Sequence, residues 1–184
     1  MTRIVIEPFS GAHVDEAARL VADRYRLLRR ALPVLPPEHE NRAGIAVKLE
    51  PMAAAGPGFA ATADGRLSGF IAGIRIPSFK GPGAGRYVPE WAHAAGGGDR
   101  GTVLRRLYQA AAAAWVADGC YSHAITSYAG DDEERDVFYR FGFGLCVVDA
   151  VRGTDRVEGA FDGEAPDGIA IRRAGPEDAN PLAG

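Results

Sequence analysis

Glycine and proline punctuate this chain at short intervals, and this distribution limits its fold more than any other sequence feature. The 24 glycines and 12 prolines are spread in small groups over the 184 residues and are not gathered in one low-complexity segment. Because both residue types interrupt helices and strands, we expect many short elements joined by turns.

Composition narrows the class of protein. With 47% hydrophobic residues and a formal net charge of only -3, the chain is typical of one soluble globular domain and not of a disordered one. No apolar run has the roughly 20 residues that a membrane helix needs, and residues 1–11 lack the pattern of a secretory signal. We therefore expect a cytoplasmic protein without a membrane partner, and the slightly acidic charge gives no reason to expect nucleic acid. Cys120 and Cys146 have neither metal-ligand spacing nor the number for a disulfide framework, and we expect no metal site.

Hydrophobic periodicity predicts the elements of the first half. Ile4 and Ile6 alternate with polar neighbours in a strand, and Ser10 precedes a helix whose apolar residues recur from Val14 to Leu28. We then expect a shorter helix at 38–49, a hairpin of strands at 58–63 and 67–76 around Asp64-Gly65, and a strand at 86–94 with Pro89 at a bulge.

Glycines delimit the second half. Gly96, Gly97 and Gly98 break the chain before a long helix from about Gly101 to Asp118, which Gly119 ends. A strand at 120–128, a helix at 131–141 and a last strand at 145–151 follow. This order predicts an α/β (α+β) domain over residues 1–152, with a mixed, largely antiparallel central sheet flanked by helices.

The C-terminal residues allow two interpretations. Residues 153–168 have a linker composition, and residues 169–184 repeat the Ile-x-Ile strand and helix entry seen near the N-terminus. They are predicted to be the first strand of a second, truncated domain of the same type. Alternatively, they form a C-terminal strand that joins the sheet of the first domain.

Three local motifs carry a family resemblance: Arg100-Gly101 at the helix start, 117–120 at its end, and 137–143, where an aromatic pair precedes Gly142-Phe143. With this order of elements, residues 1–152 resemble the GNAT superfamily of acyl-CoA-dependent N-acetyltransferases. The resemblance implies a sheet that splays open between strands 86–94 and 120–128, with the pantetheine arm of acetyl-CoA in the cleft. It also implies that the pyrophosphate lies at the start of the long helix, and the implied cofactor-binding residues are Ala94, Arg100, Gly101, Thr102 and Val103.

The chain departs from the family in its phosphate loop. Family members carry Gln or Arg, two variable residues, Gly, one variable residue, then Gly or Ala. Starting this pattern at Arg100 places Val103 and Arg105 in the two small positions, and starting one residue earlier places Thr102 and Leu104 there. Neither register supplies glycine, although the preceding glycine run allows the loop a different path.

The catalytic candidates also follow from the resemblance. Direct transfer needs a group that takes a proton from the amine, and Glu90 or His93 on the cleft strand is the candidate base. The ordinary alternatives are a solvated glutamate and a packed histidine. The tyrosine that serves as the proton donor in the family corresponds to Phe138, which has no proton to give, so Tyr139 is the candidate acid. Because each residue turns a helix by about 100°, Tyr139 is expected to point to a different side of the helix.

The acidic residues 131–134 have the density of a cation site, but they lie in the first turn of a helix. We interpret them as charges that complement the helix dipole.

Two functions follow from these observations. The first is an enzyme that transfers an acyl group from acetyl-CoA to a small-molecule or peptide amine. The second is a non-catalytic GNAT-like lobe that has lost its cofactor site and positions substrate for another domain. Expected protein partners are a second GNAT-like domain or a second copy of the chain.

Overall fold

A computed structural model describes residues 3–79, 81–153, 167–170, 172–173 and 175–178 of the chain. By their internal contacts the residues divide into two units, Met1–Val151 and Arg152–Gly184. The α-helices and β-strands of the described residues all belong to the first unit.

The first unit follows the predicted order of elements, except that the strands predicted at 67–76 and 86–94 each divide into two and the strand predicted at 145–151 does not form. Its elements are β1 Ile4–Pro8, α1 Val14–Ala31, α2 Arg42–Ala55, β2 Phe59–Ala63, β3 Arg66–Ile71, β4 Ile74–Ile76, β5 Ala84–Val88, β6 His93–Ala95, α3 Arg100–Ala117, β7 Cys120–Ile125 and α4 Asp132–Arg140.

Helix α2 begins four residues later than the predicted second helix. The side-chain oxygen of Asn41 accepts hydrogen bonds from the amides of Ala43 at 3.1 Å and Gly44 at 3.3 Å. This N-cap starts the helix at Arg42, and the preceding Pro37–Glu40 forms a separate 3₁₀ turn.

The strands form two sheets. One is antiparallel in the order β1-β2-β3-β6, and the other has the order β4-β5-β7, with β5 and β7 parallel. The predicted hairpin turn between β2 and β3 is confirmed: both Asp64 (φ 50°) and Gly65 (φ 73°) adopt the positive φ that a tight hairpin turn requires.

The sheet opens where one predicted strand divides into two. Val88 at the end of β5 pairs with Ile125 of β7, whereas His93 at the start of β6 pairs with Ile71 of β3. The strand therefore passes from one sheet to the other across residues 89–92, and β6 diverges from β7. This division agrees with the bulge expected at Pro89 and with the splay that the family resemblance implied.

The predicted last strand at 145–151 was wrong. These residues take no strand conformation, and the side chains of Leu145, Val147, Val148 and Val151 are 62% to 72% exposed. Within the described part of the chain, β7 pairs only with β5, so no neighbouring strand satisfies the backbone of this segment.

Helix α3 is held against the first sheet by close packing. Its Leu104, Leu107 and Trp115 are fully buried, and the indole nitrogen of Trp115 donates to the carbonyl of Pro57 at 2.8 Å. At Gly69 of β3 an added Cβ would lie 2.6 Å from Val103 Cγ1, so the missing side chain allows the helix to approach. This contact sets the position of the N-terminus of α3.

The described residues of the second unit contain the 3₁₀ turn Pro176–Asp178. Arg172 donates two hydrogen bonds to Asp178, at 2.7 Å and 2.5 Å. Residues 169, 170, 172 and 173 form no strand, and most of the predicted linker lies outside the described residues. The second domain stays a prediction. Among the helices described, none has the length and apolar character to cross a membrane.

Candidate functional site

The N-terminus of α3 follows the glycine turn after β6 and contacts the start of α4. Asp99 caps the helix: its side chain accepts from the amide of Thr102 at 3.3 Å, and its carbonyl accepts from the amide of Val103 at 3.2 Å. The amide of Gly101 donates to Glu133 of α4 at 2.9 Å. Three of the first helix amides are therefore already bonded to this chain's own oxygens.

Arg100 is also held by acidic groups of α4. Its guanidinium lies 2.5 Å from a carboxylate oxygen of Asp131 and 3.7 Å from Glu133. A Cβ added at Gly101 would meet Glu133 Oε1 at 3.1 Å, so the absence of a side chain brings the acid close to the helix. The carboxylate of Glu133, in the first turn of α4, therefore lies against the first turn of α3.

The two apolar residues of the predicted cofactor set face the interior. Ala94 is fully buried in β6 and pairs with Phe70 of β3, and Val103 is 3% exposed against Gly69. Of the five predicted residues, Arg100, Gly101 and Thr102 lie together at the start of α3.

A buried ionic network links α4 to α1 and β6. Glu134 of α4 is fully buried and accepts from Arg24 of α1 at 2.9 Å and from Nε2 of His93 in β6 at 2.9 Å. The side chain of Arg24 is 10% exposed. This network joins α1, β6 and α4 through three side chains.

The partners of Glu134 determine its charge. Burial alone would raise the pKa of Glu134, but the charge and hydrogen bond of His93, with the charges of Arg24 and Arg100, lower it to about 2. Glu134 is therefore an anion at neutral pH.

Both ring nitrogens of His93 lie within hydrogen-bond distance of an oxygen atom. Nε2 faces the Glu134 carboxylate, and Nδ1 lies 3.2 Å from the carbonyl of Pro89, which can only accept. The ring is completely buried. As placed, His93 holds Pro89 and Glu134, and neither ring nitrogen is free to take a proton from a substrate.

Glu90 lies on the irregular segment between β5 and β6 and is partly exposed. Arg24 donates to its backbone carbonyl, and its carboxylate lies close enough to influence Tyr25 and Tyr128. Burial raises the pKa of Tyr128 to about 12. The positive charge of Arg24, whose guanidinium lies 5.0 Å from the ring centre, acts in the opposite direction and lowers this pKa, but its effect is smaller. Glu90 thus has a protonated phenol near it and its backbone anchored to α1.

Phe138 and Tyr139 point to different sides of α4, as the helical rotation predicted. Phe138 is 5% exposed and packs edge to face with His93 at 6.2 Å between ring centres. Tyr139 is 45% exposed. The structure brings the backbone of Glu90 and the ring of His93 into one network and leaves Tyr139 on the outer face of α4.

Comparisons with known proteins bear on the fold. No family model matches the chain, and no curated protein matches it. The solved structures that match include three at 13% to 15% identity: a GCN5-related N-acetyltransferase from Ralstonia eutropha JMP134, the aminoglycoside N-acetyltransferase AAC(6')-Iy in complex with CoA, and the aminoglycoside acetyltransferase HMB0005 from an uncultured soil metagenomic sample. Their TM-scores are 0.58, 0.56 and 0.53, and the matches cover 83% to 84% of this chain and 97% to 100% of theirs. The chain has the GNAT fold.

Within this GNAT fold, sequence reasoning missed Arg24 and Glu134. Glu134 was assigned with its neighbours to the helix dipole, yet it lies three and four residues before the buried Val137 and Phe138 and so shares their face. That spacing was a readable signal of burial. Nothing near Arg24 in the sequence indicates its role, because its partner Glu134 is 110 residues away.

Proposed function

We propose that this chain is an N-acetyltransferase that transfers an acyl group from acetyl-CoA to a small-molecule or peptide amine. The observation that supports it most is the sheet opening at residues 89–92, which carries Glu90 in a GNAT fold. One structural neighbour with that fold is a CoA complex. In the proposed reaction the amine forms a bond to the acyl carbon, the carbon-sulfur bond breaks, and the amine loses a proton.

Glu90 is the proposed acceptor of that proton. It is partly exposed, whereas His93 is buried with both ring nitrogens bonded. Among the predicted bases, Glu90 is therefore the one that an amine can approach. His93 is assigned the role of holding the Pro89 carbonyl, and Tyr139 stays a candidate proton donor on the outer face of α4.

The start of α3, as arranged, does not fit a cofactor diphosphate. A diphosphate at this position would compete with Glu133 for the Gly101 amide and with Asp131 for Arg100. It would also meet the negative charge of both acids. We therefore assign no step of the reaction to a group held there.

Acyl transfer is tested by following thiol release from acetyl-CoA with a panel of amines that includes aminoglycosides, polyamines and a lysine peptide. Glu90→Gln should lower kcat with the best acceptor by about 100-fold or more, because it keeps the side-chain shape but cannot accept the proton. Acetyl-CoA affinity, measured by calorimetry, should stay unchanged. Glu50→Gln, which alters an exposed carboxylate on α2, is the matched control.

Absence of thiol release with every amine, together with no heat of binding for acetyl-CoA, would end this proposal. Equal turnover by the wild type and Glu90→Gln would support the acyl-transfer activity but show that Glu90 is not the base. The cytoplasmic location and a second domain or second copy as partner stay predictions.

A second candidate function has its own support. The capped amides at the start of α3 and the buried Val103 at a family glycine position favour a non-catalytic lobe that positions substrate for another domain. This candidate predicts no acetyl-CoA binding under the same calorimetric conditions.

A further inference from the structure

Segment 145–151 has the composition of a strand but takes no strand conformation. It contains three valines and a leucine, which favour extended backbone, and neither glycine nor proline. The side chains of Leu145, Val147, Val148 and Val151 are 62% to 72% exposed. Apolar side chains gathered in one exposed segment, unlike apolar residues scattered singly, are typical of a contact surface.

The chain is anchored immediately before this segment. The amide of Phe143 donates to the carbonyl of Phe138 at 3.2 Å, and the Phe143 ring packs edge to face with Tyr108, with 5.2 Å between the ring centres. The hydroxyl of Tyr108 lies 3.0 Å from Nδ1 of His123 in β7. Segment 145–151 therefore begins from a fixed point on the β7 side of α3.

Strand β7 has an open edge, which is its edge away from β5. The amide of Thr126, just after β7, donates to the carbonyl of Val88 of β5 at 2.9 Å. Because the backbone groups of successive strand residues point to alternate edges, those of Tyr121, His123 and Ile125 point to the open edge. Within the described part of the chain, no strand pairs with β7 there. The open edge thus presents donors and acceptors to an incoming strand.

We propose that segment 145–151 of one copy of the chain pairs as a strand with the open edge of β7 in a second copy, and that the exchange is reciprocal. Each copy carries both halves of this contact, so a twofold-symmetric dimer pairs two segments and two edges at once. The dimer is closed, because neither copy keeps an open β7 edge for a further chain. This inference is independent of the proposed function.

The exchange also covers apolar side chains that are exposed in a single copy. Tyr121 of β7 is 76% exposed, and Val147 and Val148 are each 67% exposed. Successive strand residues point to opposite faces, so one of these two valines lies on the face of Tyr121 in any register. An aromatic residue beside a β-branched residue on a neighbouring strand is a stabilising cross-strand pair.

Sedimentation velocity on the full chain, from about 1 µM to about 300 µM, tests the association, and we expect a monomer that becomes a dimer as concentration rises. The double variant Val147→Lys, Val148→Lys should raise the dimer dissociation constant about tenfold or more, because it places a charge on each face of the exchanged strand. The matched control is Leu27→Lys, Val47→Lys, which changes two helix residues that are 62% and 66% exposed and should leave the dissociation constant unchanged.

The double variant should fold normally. Its two altered side chains are exposed in a single copy, so its unfolding midpoint at the lowest concentration should equal that of the wild type. A weaker dimer with an unchanged midpoint therefore reports on the contact and not on the fold.

Amide hydrogen exchange at low and high concentration identifies the paired residues. The amides of Tyr121, His123 and Ile125 and those of segment 145–151 should exchange about tenfold more slowly in the dimer, and the double variant should lose this protection. Protection of the same amides in the monomer would show that the segment pairs within its own copy and would overturn the proposal. A chain that stays monomeric at about 300 µM, or a dimer that the double variant leaves intact, would overturn it as well.

Discussion

At the scale of single residues, Glu134 links α4 to α1 and β6. It is fully buried, and its two carboxylate oxygens accept from Arg24 and His93. The same two donors also hold the carbonyls of Glu90 and Pro89. One carboxylate thus holds the two side chains that fix the backbone of the segment carrying the candidate base.

Replacing Glu134 with Gln should destabilise the protein by about 3–5 kcal/mol, because it leaves the buried guanidinium of Arg24 without its anion and removes the carboxylate partner of His93. Urea unfolding at pH 7 measures this change in the free energy of unfolding. Asp132→Asn is the control: its carboxylate is 78% exposed and pairs with Arg135, so we expect a change of about 0.5 kcal/mol or less. A Glu134→Gln variant as stable as this control would contradict the network.

Acid should weaken the fold through the same residue. The pKa of Glu134 falls from 4.5 to about 2 on folding, so the unfolded chain binds a proton more readily than the folded one. Its stabilisation is complete above about pH 5 and is lost as pH falls from there toward 2. Unfolding measured from pH 7 to pH 3 should show the gap between the wild type and Glu134→Gln narrowing below pH 5. A gap independent of pH would exclude Glu134 as the titrating group.

At the scale of elements, the packing of α3 on β3 decides where the candidate site forms. The helix contacts β3 at Gly69, and the same contact lies next to Ala94 of β6. A shift of the helix would move Arg100, the Asp99 cap and the glycine turn together.

Gly69→Ala should therefore destabilise the protein by about 1–3 kcal/mol. Its Cβ would lie 2.6 Å from Val103 Cγ1 and 2.9 Å from the Ala94 carbonyl, and the second atom belongs to the backbone and cannot rotate away. Thermal unfolding measures the effect, with Gly83→Ala as the control because a Cβ there meets nothing within 4 Å. Equal unfolding midpoints for the two variants would show that α3 can shift to accommodate the added Cβ without loss of stability, and would contradict this prediction.

At the scale of the whole molecule, the hydrophobic core lies inside the first unit. Every described member of its two clusters falls between Ile4 and Phe143. A chain shortened to residues 1–152 should accordingly unfold cooperatively, with a midpoint within about 2 °C of the full chain. A large drop in the midpoint would favour the interpretation in which residues 169–184 add to the first domain's sheet.

The sequence by itself determined the order and type of most elements, because these depend on neighbouring residues. Helical spacing located α1, the Asp64-Gly65 pair located the hairpin, and Gly119 ended α3. The same local reasoning placed Arg100 and Gly101 at a helix start, and the rotation of the helix predicted that Tyr139 turns away from the side of Phe138.

Only the tertiary structure decided what those residues contact. Gly101 and Glu133 are 32 residues apart, and Arg24 and Glu134 are 110 apart, so no local pattern could pair them. The strand predicted at 145–151 failed for a related reason, since a strand needs a neighbour for its backbone hydrogen bonds and periodicity cannot supply one. Which acids meet the start of α3 was decided by how α3 and α4 pack, because burial and charge at the site come from elements distant in the chain.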